Sequence, residues 1–192
     1  MIRYKLTDEN GKTQNNTTWG DGKEYRTKGG GDLCTDKWLH CYSHPLLAVL
    51  LNPIHADFKN PKMCKVECSG KEKTDGLKWG YTRMKFVRWI DVPIISENQK
   101  IAFGILCAKQ IYKNKDWNKW ANNWLKNKDR TVIAANLAAT YATAIAATYA
   151  AAYAICAAYA AARAAACTTA DAAARDKTNI DFILIAKKAM KY

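Results

Sequence analysis

Residues 138 to 167 read AATYATAIAATYAAAYAICAAYAAARAAAC, and Arg163 is the only charge among them. The surrounding tract, residues 131 to 176, lacks glycine and proline, so nothing local stops it from being helical. Its large side chains keep a strict step of four. Ile133, Leu137, Tyr141, Ile145, Tyr149 and Tyr153 form one row, and Ile155, Tyr159, Arg163, Cys167, Asp171 and Arg175 form a second. A row at i+4 drifts by about 40° per step on a helix of 3.6 residues per turn. Over five steps the bulky residues wind about halfway round, which no helix with a single apolar stripe does. The other faces are alanine and let a neighbouring backbone approach closely. The tract therefore asks to be contacted on several sides. As one helix it would reach about 70 Å, so the expectation is a fold-back near residues 167 to 171 into a hairpin or bundle, or a homodimer through the alanine-rich helices.

Two other uses of such a tract are weaker. A membrane span would rely on Leu, Ile and Val, whereas this tract carries Asn136, five internal threonines, Arg163 and Asp171. An ice-binding face would need threonine at a regular repeat, which residues 131, 140, 143, 148, 168 and 169 do not keep.

Charge lies elsewhere. The chain of 192 residues has a net charge of +13, and residues 1 to 130 hold 24 Lys and Arg against 14 Asp and Glu. That asymmetry points to an anionic partner, nucleic acid or a nucleotide first, or else to a merely basic surface. The first residues run straight into a strand-like pattern with no apolar core of a secretion signal. Seven cysteines without framework spacing fit free thiols in a reducing compartment. The expected location is the cytosol, the host's if the protein is viral.

The first ninety-odd residues read as mostly strand. IRYKL and KEYRT alternate, with Asn10-Gly11 as a turn signal between them. SHPLLAVLLNP reads as a short buried helix capped by Ser43 and stopped by Pro53. MCKVECSG and GLKWGYTRMKFVRWIDVP read as strands. In MKFVRWI neither alternate set is uniformly apolar, which suggests a strand covered on both sides. From Ser96 the period changes to that of helices. Ser96 and Gln99 form a capping-box spacing, and Ile101, Ile105, Ala108 and Tyr112 follow at helical intervals. Asp116 can cap a helix bearing Trp117, Trp120 and Trp124 on one face, Asp129 can cap the alanine tract, and Thr178 with Asp181 makes a weaker box. The expected fold is α+β: a small mostly-β head over residues 1–95, then an all-α, alanine-rich hairpin or bundle over residues 96–192.

The strings YKLTDENGKTQNNTTWGDG and LCTDKWLHCYSHPLLAVLLNPIHADFKNP, with AFGILCAKQIYK, WANNWL and KDRT leading into alanine-rich sequence, carry a resemblance. The chain is similar to an uncharacterised family that recurs in phage, prophage and metagenomic viral sequences, whose members pair a short β-rich head with an alanine-rich tail. The resemblance spans nearly the whole chain and is most specific through HPLLAVLLNPIHA. It implies a viral or mobile-element accessory protein and supplies neither activity nor catalytic residues. The tail also resembles, more loosely, alanine-rich helical repeats of bacterial immunity proteins.

Several chemistries can be drawn on these residues. Cys34, Cys41, Cys64 and Cys68 could be written as a zinc site, but their spacings lack the close pairs that give such sites their geometry. Cys64 and Cys68 on one strand would lie about 13 Å apart. Free buried thiols are the simpler reading. Cys41 with His40, His44 or His55 could be a nucleophile and base, with Asp57 to orient the base, though no family signature surrounds it. Gly29–Gly31 could form an anion-binding nest beside Lys28, or a plain loop. No phosphate-loop, dinucleotide or zinc-protease motif occurs. The segment KWGYTRMKFVRW is the better candidate: it sets Lys78, Arg83, Lys85 and Arg88 among Trp79, Tyr81, Phe86 and Trp89. Cations hold phosphates and aromatics stack on bases; the alternative is a core strand with solvated charges. The expectation is a non-enzymatic protein with no catalytic residues, metal or cofactor. It would bind an anionic ligand, nucleic acid or a nucleotide signal of host defence, through Lys78, Trp79, Arg83, Lys85, Arg88 and Trp89. The rivals are an inhibitor or structural protein that meets a host protein through its alanine-rich helices, and a Cys/His enzyme.

Overall fold

A computed structural model describes residues 1–14, 17–111, 113–131 and 180–192. The alanine tract, with its expected hairpin, bundle or dimer, lies outside them. The fold is α+β, an antiparallel sheet with four helices among the described residues. None of these helices is long and apolar enough to cross a membrane. Two compact units are present: Met1–Ile95 with Phe182–Ala186, and the described residues from Ser96 to Asp181 with Lys187–Tyr192.

In the first unit the strands are β1 (Ile2–Thr7), β2 (Lys12–Thr13), β3 (Thr17–Thr18), β4 (Glu24–Arg26), β5 (Leu39–Cys41), β6 (Lys62–Thr74) and β7 (Trp79–Ile90). The long hairpin of β6 and β7 is the frame. β1 pairs along β6, while β4 and β5 share the other edge of β7. Tyr4 and Tyr42 then exchange backbone hydrogen bonds of 3.0 and 2.7 Å, so β1 meets the end of β5 and the sheet closes on itself. A hairpin this long curls because its ladder is interrupted twice. Val87 is an extra residue opposite Lys65, and an extra residue also falls on β6 between Ser69 and Glu72. Gly70 sits there with φ +84°, a left-handed conformation that glycine adopts without a steric penalty. The core within holds Trp19, Cys41, Cys64, Val66, Cys68, Tyr81, Met84 and Phe86.

Directly opposed residues of antiparallel strands share a face. One face of the sheet carries Cys64, Val66, Cys68, Met84 and Phe86, all buried. The other carries Arg83 and Lys85, both exposed, and Val87 and Arg88 at the bulge are exposed too. The expected covering of this strand on both sides is thus corrected: the bulge lets MKFVRWI break its alternation while one face stays open. In β1 the pattern is inverted, since Arg3 and Lys5 lie opposite Val66 and Cys64 and so point inward.

Helix α1 (Pro45–His55) packs against β1. Its cap is His44 rather than Ser43, because His44 has the extended backbone and its Nδ1 accepts from the Leu46 N–H at 3.2 Å. Pro53 does not stop it. In the last turn the missing N–H deprives only one carbonyl, and the helix ends two residues later where Asp57 turns left-handed at φ +51°.

In the second unit, α2 (Glu97–Ile111) begins with the expected reciprocal box. Ser96 N–H donates to Gln99 Oε1 at 2.9 Å, and Gln99 N–H donates to Ser96 Oγ at 3.2 Å. Residues 101 to 108 are all buried, so this helix is covered all round rather than along one stripe. Helix α3 (Lys115–Leu125) is capped by Asn114, which accepts from Trp117 N–H at 2.9 Å, while Asp116 falls inside its first turn. Trp117, Ala121 and Trp124 are its buried face. Asp129 accepts from both the backbone and the hydroxyl of Thr131. Helix α4 spans Phe182–Ala189.

Candidate anionic-ligand face

The open side of the sheet is built in three cross-strand rows. Tyr4, Lys65 and Arg88 form the first; Ile2, Glu67, Lys85 and Glu24 the second; Ser69, Arg83 and Arg26 the third. Five cations and two acids thus share one surface, with Arg26 tied to Glu24 at 2.8 Å. Lys85 lies between Glu67 and Glu24, so its charge is locally balanced. Arg83 lies beside Arg26, and Arg88 beside Lys65, where like charges neighbour each other. An anion is favoured most at those two rows, because cross-strand like charges repel and a bridging phosphate removes the repulsion.

The six residues expected from the sequence divide. Arg83, Lys85 and Arg88 project from the exposed surface of β7. Trp89 is 40% exposed, and the Val87 bulge turns it to the side of Phe86, whose ring it meets edge-on at 5.2 Å. Its ring also lies over Gly11. Trp79 is half-buried with the Arg3 guanidinium 4.5 Å from its ring centroid, which occupies the surface a base would use. Lys78 leaves the set. It is 7% exposed and its ammonium is 3.1 Å from Asp75 in the hairpin turn. Burial opposes the charge on Lys78, but the Asp75 carboxylate outweighs it and raises the pKa. Burial likewise disfavours the Asp75 carboxylate, yet the Lys78 N–H and ammonium hold its pKa below the usual value.

Arg26, Lys65, Tyr4 and Ile2 complete the face and were not singled out by sequence. They belong to other strands, and only the register brings them beside β7.

The Cys/His segment does not assemble a nucleophile and base. The hydrogen-bond partner of the Cys41 thiol is Cys68, with Sγ–Sγ 3.8 Å. His40 bonds the Leu33 carbonyl, His55 meets the Tyr42 hydroxyl at 2.9 Å, and His44 caps α1. Among the described residues no three His, Cys, Asp or Glu side chains gather as a metal site. Gly29–Gly31 all have positive φ, and the loop is pinned by Gly29 N–H to the Lys37 carbonyl. A recess of about 270 Å³ is lined by Asp8, Glu9, Asp57, Phe58, Lys59 and Asn60, and its acidic lining opposes an anion.

No family model matches the chain, and neither a curated protein nor a solved structure is significantly similar to it.

Proposed function

We propose that the chain is a non-enzymatic accessory protein of viral or mobile-element origin whose basic head holds single-stranded nucleic acid on the open sheet face. The origin rests on the resemblance through HPLLAVLLNPIHA. In this reading the head, carried on a helical scaffold, presents Arg26, Lys65, Arg83, Lys85 and Arg88 to phosphates. Trp89, turned by the bulge to the side of Phe86, keeps a 40% exposed ring at the end of the same strand, beside that face rather than on it. The observation that carries it is the exposure of Arg83, Lys85 and Arg88 along one strand of a face left uncovered by described residues. Glu67 and Glu24 flank Lys85 and weaken its hold on a phosphate, so the two outer rows hold the strand most firmly.

Anisotropy of a fluorescein-labelled oligothymidylate tests this. The native chain should bind it with an affinity that falls steeply with salt. Replacing Arg83, Lys85 and Arg88 together by glutamine should weaken binding by about a hundredfold at low salt, each contact being worth about 1 kcal/mol. An affinity unchanged in that triple variant would reject the face.

A further inference from the structure

The inside of the closed sheet contains polar groups that the outer face does not use. Lys5 is buried there, donates to the His40 carbonyl at 2.7 Å, and lies 4.7 Å from the Trp19 ring centroid. Burial lowers its pKa. Among the described residues it forms no ion pair with a carboxylate. The acidic groups around it are the thiols of Cys41, Cys64 and Cys68.

Those thiols differ. Burial pushes Cys64 up to about 12, which keeps it protonated. Burial, with the neighbouring Cys68, also raises Cys41. Cys68 moves down, because its hydrogen bond with Cys41 and the charges of Lys5, the N-terminus and Arg3 favour the thiolate over the opposing effect of burial. Cys41 and Cys68 are both nearly inaccessible, come from β5 and β6 on opposite flanks of β7, and place their sulfurs in contact at 3.8 Å. Closing that gap to a covalent bond needs a movement of about 1.8 Å.

We propose that Cys68 and Cys41 are the attacking and resolving thiols of a site modified by small hydroperoxides. The Cys68 thiolate attacks one oxygen of hydrogen peroxide and the O–O bond breaks. The departing hydroxide takes the proton that the thiol had released, leaving water and a Cys68 sulfenic acid. Cys41 sulfur then attacks Cys68 sulfur, the S–O bond breaks, and the leaving hydroxide accepts the Cys41 proton. Two thiols are oxidised to one disulfide, and one peroxide is reduced to two waters. Both sulfurs are buried, so a bulky disulfide such as oxidised glutathione does not reach either of them. The site lies on the inner face and does not rest on the nucleic-acid reading.

The test uses the full chain with the exposed Cys34 replaced by serine. Folded protein is treated with hydrogen peroxide, its remaining thiols are alkylated, and peptides are mapped by mass spectrometry. The expected product is a Cys41–Cys68 link that a dithiol reductant reverses. Cys41→Ser should stop at a sulfenic acid on Cys68, trapped by dimedone, and Lys5→Met should slow oxidation about tenfold, the effect of one unit in thiol pKa. The link requires only that the Cys34→Ser protein be folded, so misfolding of the other variants would not obscure it. A link formed only in denaturant, a link through Cys64, or native protein whose two thiols outlast a peroxide excess that consumes a free small thiol would each overturn the proposal.

Discussion

Asp75 shows how one side chain can remove another from a surface. Its carboxylate accepts the Leu77 and Lys78 N–H groups at 3.0 and 2.9 Å, and the Lys78 ammonium lies beside it. Asp75→Asn would leave a buried ammonium without its charge partner, at a cost of about 2 kcal/mol in urea unfolding at neutral pH. The folded pKa of Asp75 is depressed, so this stabilisation is fully present above the ordinary value of 3.8 and is lost as pH falls through the lower folded value. The gap between native and variant stabilities should therefore close below pH 3.8. A gap that stayed constant into strong acid would mean that the hydrogen bonds, not the charge, hold the turn. The sequence displayed Lys78 as one cation in a basic run. What it did not display was that an Asp-Gly turn three residues earlier bends the chain until its carboxylate and that cation meet.

The β6–β7 hairpin sets both faces through its two irregularities. The Val87 bulge puts Arg88 opposite Lys65 and Trp89 opposite Cys64, so two successive residues of β7 serve different faces without restoring the original alternation. Gly70 supplies the second irregularity, where an added Cβ would collide with the Thr82 hydroxyl that accepts from the Lys71 N–H. Gly70→Ala should cost about 3 kcal/mol, strain and collision together, measured as a lowered unfolding midpoint with the slope unchanged. A variant within about 0.5 kcal/mol of the native chain would show that this bend is not needed. The helix signals were the more legible part. Ser96 and Gln99 act within four residues of sequence, and their box forms as read, whereas Asn114 rather than Asp116 caps α3 because the preceding loop decides which residue is extended. Strand faces depend on a partner far along the chain. Ile2, Arg26 and Lys65 were unreadable as one surface for that reason, and the inward turn of Lys5 opposes the polarity rule that makes alternation informative.

Across the whole chain the positive charge is not confined to the sheet face. Residues 96 to 130 carry eight Lys and Arg against three Asp and Glu. On α3, Lys115 and Lys119 are exposed, while Trp117 and Trp124 are buried and Trp120 is half-buried, so this helix offers more charge than aromatic surface. Charge of that kind acts at a distance: it raises the encounter rate with a polyanion and is screened beyond about 8 Å at physiological salt. Charge in contact acts on the lifetime of the complex instead. The two should separate in stopped-flow measurements with a labelled oligothymidylate. Lys115→Gln with Lys119→Gln should slow association about threefold at low salt, leave dissociation unchanged, and lose its effect as salt approaches physiological strength. Arg83→Gln, Lys85→Gln and Arg88→Gln together should speed dissociation, and should flatten the dependence of log affinity on log salt by about 2, at about 0.7 per single-strand phosphate contact. If the α3 variant instead shortened the lifetime of the complex, the helix would be in contact with the ligand, and the binding surface would extend beyond the sheet that its register defines.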